Sequence, residues 1–596
     1  MTALDYIIIA AYFIGLILVS VVVSKKIKSS EDMFIAGRNS SWWLSGVSSY
    51  MTIFSASTFV VWGGVAYKSG IVAVSVAVCL GIASFMVGKW VSGKWRELSI
   101  KSPGEFLTIR FGNRTLNFYT VLGIIVRAVH TAVALYSVAI VMCALIRIPP
   151  NGMFSFLAST GLPGDSEAGY LSIWWALGIL GVISILYTVL GGFLAVLMTD
   201  VVQFGVLLTV VVFMIPLSFN AVGGIEEFFT RAAQIPGFLS GTSNDYNWFW
   251  LFLWIFLNCA MIGGDWPFVQ RYISVPTVKD AKKSTYLIGF LYIVTPFIWY
   301  LPTMALRTLE PNLGMALDAT QLNYNGEHAY VNMSVNVLMS GMVGMMLAAM
   351  LSATLSNVSG TLNVYANVFT YEIWNKLGDN KNAPEKRRIK IGRRFTFLFG
   401  LSILLISMLI PFAGGAEKVV VTLLTMVLCP LYIPSIWGLF SKRLTGNQLI
   451  FAMVVAWILG FTAKFTVPTD IISSSLMDSI CGCVIPIVIL TVCEIYSKIK
   501  GKEDPGFDKI QEYKDPTAND EPSIDTKKAT KFYSHMAITV FCITIGVIAL
   551  LLAGMLIAGD PKTVSVSHIV IWFIVGICAI IAIYVIYRII DWKRNK

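Results

Sequence analysis

A chain of 596 residues that is 56% hydrophobic and only 13% charged, with a mean hydropathy of +0.75, is excluded from the soluble enzymes, which carry about 25% charged residues. A formal net charge of +11 would suit nucleic acid, but the placement of the cations accounts for it differently. The nine cysteines lie in or beside apolar runs, and Cys481-Gly-Cys483 is too short for a zinc knuckle; no metal-ligand cluster and no resident cofactor are expected.

A helix needs about 20 mostly apolar residues to cross a bilayer. On that basis the chain reads as fifteen spans, near 5–24, 45–67, 70–88, 116–146, 170–195, 201–220, 246–264, 284–306, 334–372, 395–413, 418–441, 447–463, 474–496, 535–558 and 566–587. The ninth is long enough to hold a short loop helix before its span. The first run lacks a basic leader and is followed by Lys25, Lys26 and Lys28, so it reads as a span with the N-terminus outside. Alternating from there puts 36 Lys and Arg inside and seven outside, with Arg127 left within a span. This asymmetry predicts an N-out, C-in protein of the cell membrane, bacterial inner membrane if the source is bacterial, with lipid and not nucleic acid as its surroundings. Lys386-Arg-Arg388 and Arg393-Arg394 would face anionic headgroups, and 497–533 reads as a flexible charged cytoplasmic linker.

Polar interruptions carry the functional information. The second span contains Ser48, Ser49, Thr52, Ser55, Ser57 and Thr58 within eleven residues, and the seventh ends Asn258-Cys-Ala-Met-Ile-Gly-Gly-Asp265. Non-helical backbone at membrane depth is tolerated where it lines a cavity, and transporters of inverted repeats use broken helices at their binding sites. Spans two and seven are five apart, as two five-helix repeats require. Gly191 and Gly192 then permit a break before Asp200. Asp200 reads either as a buried carboxylate that needs a partner or cation or as a helix-start residue. On the ninth span Ser352, Ser356 and Ser359 share one face by spacing, either as oxygen ligands for a hard cation or as a small-residue packing face.

These stretches resemble the sodium:solute symporter family over roughly residues 5–495. The marks are Asp32-Met-Phe-Ile-Ala-Gly-Arg38 with Trp42-Trp43, the Gly-Gly…Thr-Asp…Gln block at 191–203, and Asp265-Trp-Pro-Phe-Val-Gln-Arg271 followed by Ala281-Lys-Lys283. Then come Ala353-Thr-Leu-Ser356 through Glu372-Ile373, and Gly438-Leu-Phe440 before Lys442-Arg443. The resemblance implies an all-α, LeuT-like five-plus-five inverted repeat with one extra N-terminal helix. It implies a sodium site from the carbonyls of Met51 and Phe54 with oxygens of Ala353, Ser356 and Asn357, where the family usually has Ser or Thr at 357. A second sodium position of some relatives would use Asp200 and Ser359, but its other hydroxyl is replaced by Gly360. The implied substrate pocket takes in Ser55, Thr58, Arg127, His130, Met261, Asp265 and Leu424. Sugar-transporting relatives carry glutamines matching Thr58 and Leu424 and an aromatic matching Met261. Sialate-transporting relatives use hydroxyls matching Ser55 and Thr58, and an arginine that falls on Arg127 or on His130 according to the alignment. Arg127 reads either as a substrate-carboxylate ligand or as a structural cation paired with Asp200 or a backbone carbonyl.

The expectation is therefore a symporter that imports a small organic solute, a sugar or an acidic sugar or carboxylate, by alternating access with sodium. A proton-coupled or amino-acid-type symporter of the same fold is the alternative, and a transporter-like sensor would be expected to add an output domain. No enzyme is expected, because Asp200, Arg127 and His130 form no catalytic cluster in the sequence. The implied division is 1–33 extra helix and first loop, 34–225 and 226–445 as the two repeats, 446–496, the linker 497–533, and 534–596.

Overall fold

The computed structural model describes residues 1–24, 30–149, 151–161, 165–310, 319–376, 380, 383–410, 423–468, 471–557 and 563–594. Helix α1, Ala3–Ser24, precedes a bent pair, α2 (Trp42–Ile53) and α3 (Thr58–Ser69), which meet at 64°. The hydroxyl-rich stretch is thus a broken helix: Phe54 is extended, at φ −71° and ψ 132°. Helices α4 (Val72–Trp90), the short α5 (Pro103–Phe111) and α6 (Asn113–Leu145) follow. The run Ile173–Val222, α7, is one helix by hydrogen bonding but turns at Gly192. At φ 59° and ψ −169°, Gly192 occupies backbone space that a side chain would oppose.

The second bent pair is α8 (Trp248–Gly264) and α9 (Trp266–Ile273), at 54°, with Asp265 extended between them. Then come α10 (Val278–Val294), α11 (Pro296–Thr308), α12 (Met342–Val368) and α13 (Glu385–Ser407). The described chain closes with α14 (Cys429–Phe440), α15 (Gly446–Thr466), α16 (Ser474–Ile499), α17 (Pro505–Glu512), α18 (Ile524–Ile557) and α19 (Thr563–Arg594). Among the described residues, ten helices can cross a membrane by length and composition, or up to twelve if each bent pair is one span. The expected ninth span resolves into a helix, Ala319–Val337, and α12.

Helix α12 is the axle of the bundle. All of its residues are buried, and it packs on α1, α6, α7 and α13. The first-turn N–H groups that have no partner within the helix are capped from far away in the chain: Asp5 Oδ1 accepts from Gly341 N at 2.9 Å and Gly344 N at 2.7 Å. A carboxylate there satisfies orphan donors and complements the helix dipole. Asp5→Ala is expected to cost about 1–2 kcal/mol, read as a lower thermal midpoint in detergent.

The charged segment 497–533 departs from the flexible linker expected of it. It contains α17 and lies docked along the basic side of the bundle, with Arg96 to Asp515 at 3.1 Å and Arg110 paired with Asp504. Burial opposes ionisation of Asp515, but hydrogen bonds from Thr517 and Arg96 outweigh it and hold its carboxyl below the usual range. Composition misleads here because the anchors are ion pairs, backbone bonds and two small apolar plugs, Ile510 and Ala518, exposed by 3% and 0%.

Candidate functional site

The two helix breaks face each other across a cavity of about 100 Å³. Ser55 and Thr58 line it from the α2–α3 break, Arg127 and His130 from α6, Met261 and Asp265 from the α8–α9 break, and Asn357 from α12. Six of the seven residues expected in the pocket therefore share one cavity. The seventh, Leu424, lies on the helical turn before α14, with its side chain outside the described residues. Trp62 and Trp254 meet over the cavity at 5.8 Å between ring centroids, one from each broken helix, and Tyr292 and Tyr300 complete the aromatic wall.

Arg127 pairs with Asp265, Nη1 to Oδ2 at 2.9 Å, and both are almost fully buried. Its Nε donates to Thr361 Oγ1 at 3.3 Å. Neither partner suggested by the sequence, Asp200 or a backbone carbonyl, is the one it takes. His130 Nδ1 has no hydrogen-bond partner among the described residues. The cavity thus presents a cation, an anion and an imidazole that is free at one nitrogen.

Beside the cavity, α12 is stitched to the broken turn of α2. Asn357 Nδ2 donates to Thr52 O at 2.8 Å, and Thr354 Oγ1 accepts from Ala56 N at 3.0 Å. The first contact spends the amide's donor side and leaves Asn357 Oδ1 buried without a partner. An unpaired buried acceptor costs about 1–3 kcal/mol unless a cation meets it. Met51, Phe54, Ala353 and Ser356 are all wholly buried at this junction. The donor set is hydroxyl, amide and carbonyl oxygen, suited to a hard monovalent ion, and among the described residues no group of three His, Cys, Asp or Glu side chains gathers anywhere for another metal.

Asp200 is wholly buried on α7, about two turns beyond the Gly192 break. It accepts from Ser356 Oγ at 2.6 Å and from Ser48 Oγ, and Arg271 Nη2 lies 3.4 Å away. Arg271 also donates from Nε to Ser48 Oγ at 2.8 Å and from Nη1 to Pro267 O at 2.9 Å. Arg127 is therefore not the one cation inside the bundle. The apolar-run reading ended the seventh span at Gly264 and treated 265–273 as loop, whereas this stretch is the second half of the bent helix and carries Arg271 inward. A motif containing Arg271 was visible, but a polar tail after an apolar run looks like a loop. Ser359 bonds back to Ser356 O at 3.1 Å. At Gly360 a Cβ would stand 3.3 Å from Arg271 Nη2, so glycine leaves room for the guanidinium where a hydroxyl would have crowded it.

The model of the sodium:solute symporter family matches residues 33–160 and 167–460. The sodium/sialic acid symporter NanT of Aliivibrio fischeri is 26% identical over 480 residues, covering 76% of this chain and 86% of that protein. The sodium/glucose cotransporter of Vibrio parahaemolyticus is 24% identical over 460 residues, covering 74% and 80%. A solved sodium-coupled sialic acid symporter, substrate-bound and outward-open, superposes with a TM-score of 0.67 at 21% identity, over 84% of this chain and 98% of its own. That likeness gives the chain the LeuT-like fold.

Proposed function

The chain belongs to the sodium:solute symporter family, and on that footing we propose that it is a sodium-coupled secondary active symporter importing a sugar or acidic sugar through the cavity between its two helix breaks. Support comes from the Asn357 amide, whose donor side is tied to Thr52 O while its oxygen stays buried and unpaired. Sodium sits against that oxygen with the carbonyls of Met51, Phe54 and Ala353 and the hydroxyl of Ser356. Because Ser356 donates its proton to Asp200, its lone pairs turn towards the ion. A bound sodium ties α12 to the broken turn that walls the solute pocket, so ion and solute favour the same conformation.

One sodium position follows from the same geometry. Asp200, the carboxylate a second ion would need, already has a fixed cation in Arg271, and Gly360 makes the space for it. One charge moving through about 100 mV is worth about 2.3 kcal/mol. A tenfold sodium gradient adds about 1.4 kcal/mol. With the N-terminus outside, α2 and α9 close the cavity on the cytoplasmic side, and both leave the ion and solute a path there when they tilt.

The test is a thermal-shift screen of purified protein with sialic acid, glucose, myo-inositol and amino acids, each in sodium chloride and in choline chloride. A ligand that stabilises in sodium alone supports coupling and names the solute; equal stabilisation in choline overturns it. Ser356→Ala is expected to raise the sodium concentration for half-maximal uptake about tenfold, equivalent to about 1.4 kcal/mol. An unchanged sodium dependence would remove Ser356 from the ion site.

A further inference from the structure

We infer that the segment after α16 is a latch on the cytoplasmic face, and that release of α17 from α5 and the α14–α15 turn is a step of the transport cycle; this rests on the symport reading above. The segment is fastened at two separate places. At its far end, Ser99 N donates to Tyr513 O at 2.8 Å and Asp515 N to Glu97 O at 2.7 Å, around an antiparallel bridge of Leu98 with Lys514. Val278 N donates to Ala518 O at 2.9 Å. Arg96 pairs with Asp515 while giving its Nε and Nη2 to the carbonyls of Val275 and Pro276, at 2.7 and 2.5 Å. This anchor therefore grips the turn into which α9 runs.

The near end holds different elements. Asp504 N donates to Lys442 O at 2.9 Å, and the Asp504 carboxylate pairs with Arg110 of α5. Arg110 in turn donates to Ser441 O at 2.8 Å and Leu444 O at 3.1 Å in the α14–α15 turn. Between the anchors stands α17, eight residues and about 12 Å of rigid helix.

A strut of fixed length cannot stay fastened at both ends if the elements it joins separate. Release of ion and solute requires α9 to move against the rest of the bundle, since alternating access rocks one part of the fold on the other. The far anchor has three backbone bonds and two ion pairs, Arg96 with Asp515 and Lys514 with Glu97; the near anchor has one backbone bond, the pair of Arg110 with Asp504, and the Phe507 ring under Arg110 and Lys442. The near anchor yields. Its seat is also the closest-fitting part: a Cβ at Gly506 would collide with the Arg110 carbonyl oxygen.

The experiment uses the full chain in proteoliposomes, with labelled sialic acid and labelled glucose as probes and wild type carried through the same oxidation. Lys442→Cys with Asp504→Cys, oxidised, is expected to lose uptake and regain it in reductant. Leu98→Cys with Lys514→Cys, oxidised, keeps uptake, because the far anchor need not open. Gly506→Val unseats α17 and is expected to speed hydrogen exchange in α2 and α9 in sodium. Undiminished uptake by the oxidised 442/504 pair, or unchanged exchange in Gly506→Val, overturns the latch. Failure of sodium coupling itself shows separately, as loss of sodium-dependent stabilisation in unmodified protein.

Discussion

Asp200→Asn is expected to abolish sodium-driven uptake and to cost about 3–5 kcal/mol of stability, the penalty for leaving one member of a buried ion pair uncompensated. Arg271 has no exposed surface, and Asp200 is the carboxylate within its reach. An asparagine keeps the shape and removes the charge, stranding a guanidinium that cannot lose its proton. Adding Arg271→Gln removes the stranded charge, so the double variant should recover most of the lost thermal midpoint without recovering transport. The pattern separates a structural role of the pair from its role at the ion site. Wild-type stability in Asp200→Asn alone would show that the two residues do not depend on each other. Arg271→Gln by itself leaves the Asp200 carboxylate with two hydroxyl donors, Ser48 and Ser356, and sodium should then stabilise this variant more than wild type.

The second large effect is a change in the charge of the cavity. Arg127→Gln leaves Asp265 as the net charge facing the solute, and Asp265→Asn leaves Arg127. For an anionic solute such as sialic acid, the first variant should lose binding altogether and the second should bind at least as tightly as wild type. For glucose both should weaken alike, because a hydroxyl uses donor and acceptor equally. Removing one partner of a buried charge pair costs about 3–5 kcal/mol, more than a hundredfold. Binding measured by thermal shift for the two solutes in both variants decides it. Equal losses for both solutes in both variants would make the pair a structural strut.

The two helix breaks were legible because hydroxyls and glycines interrupt apolar runs at a five-span offset, and six of the seven residues expected in the pocket line one cavity. What the sequence could not supply was pairing. Arg127 and Asp265 are 138 positions apart, and nothing local says which acid meets which base. Arg271 escaped for a related reason, since hydropathy marks where apolar residues stop and a bent helix continues past that point. The docked segment 497–533 was missed because it is held mainly by backbone groups and ion pairs, which leave little trace in composition. Asp5 as the cap of α12 was equally hidden, lying in the first apolar run and acting across more than 330 residues.

Helix α12 has no face left for lipid, and this bears on how the protein is made. A segment rich in serine, threonine and asparagine is a poor guest in hydrocarbon by itself. Yet α1, α6 and α7, three of the helices that enclose it, all emerge from the ribosome before it does. The order of synthesis supplies a prepared groove, so this polar core element is inserted into protein and not into bare bilayer. The long, lipid-facing α18 and α19 come last, when little remains to be sheltered.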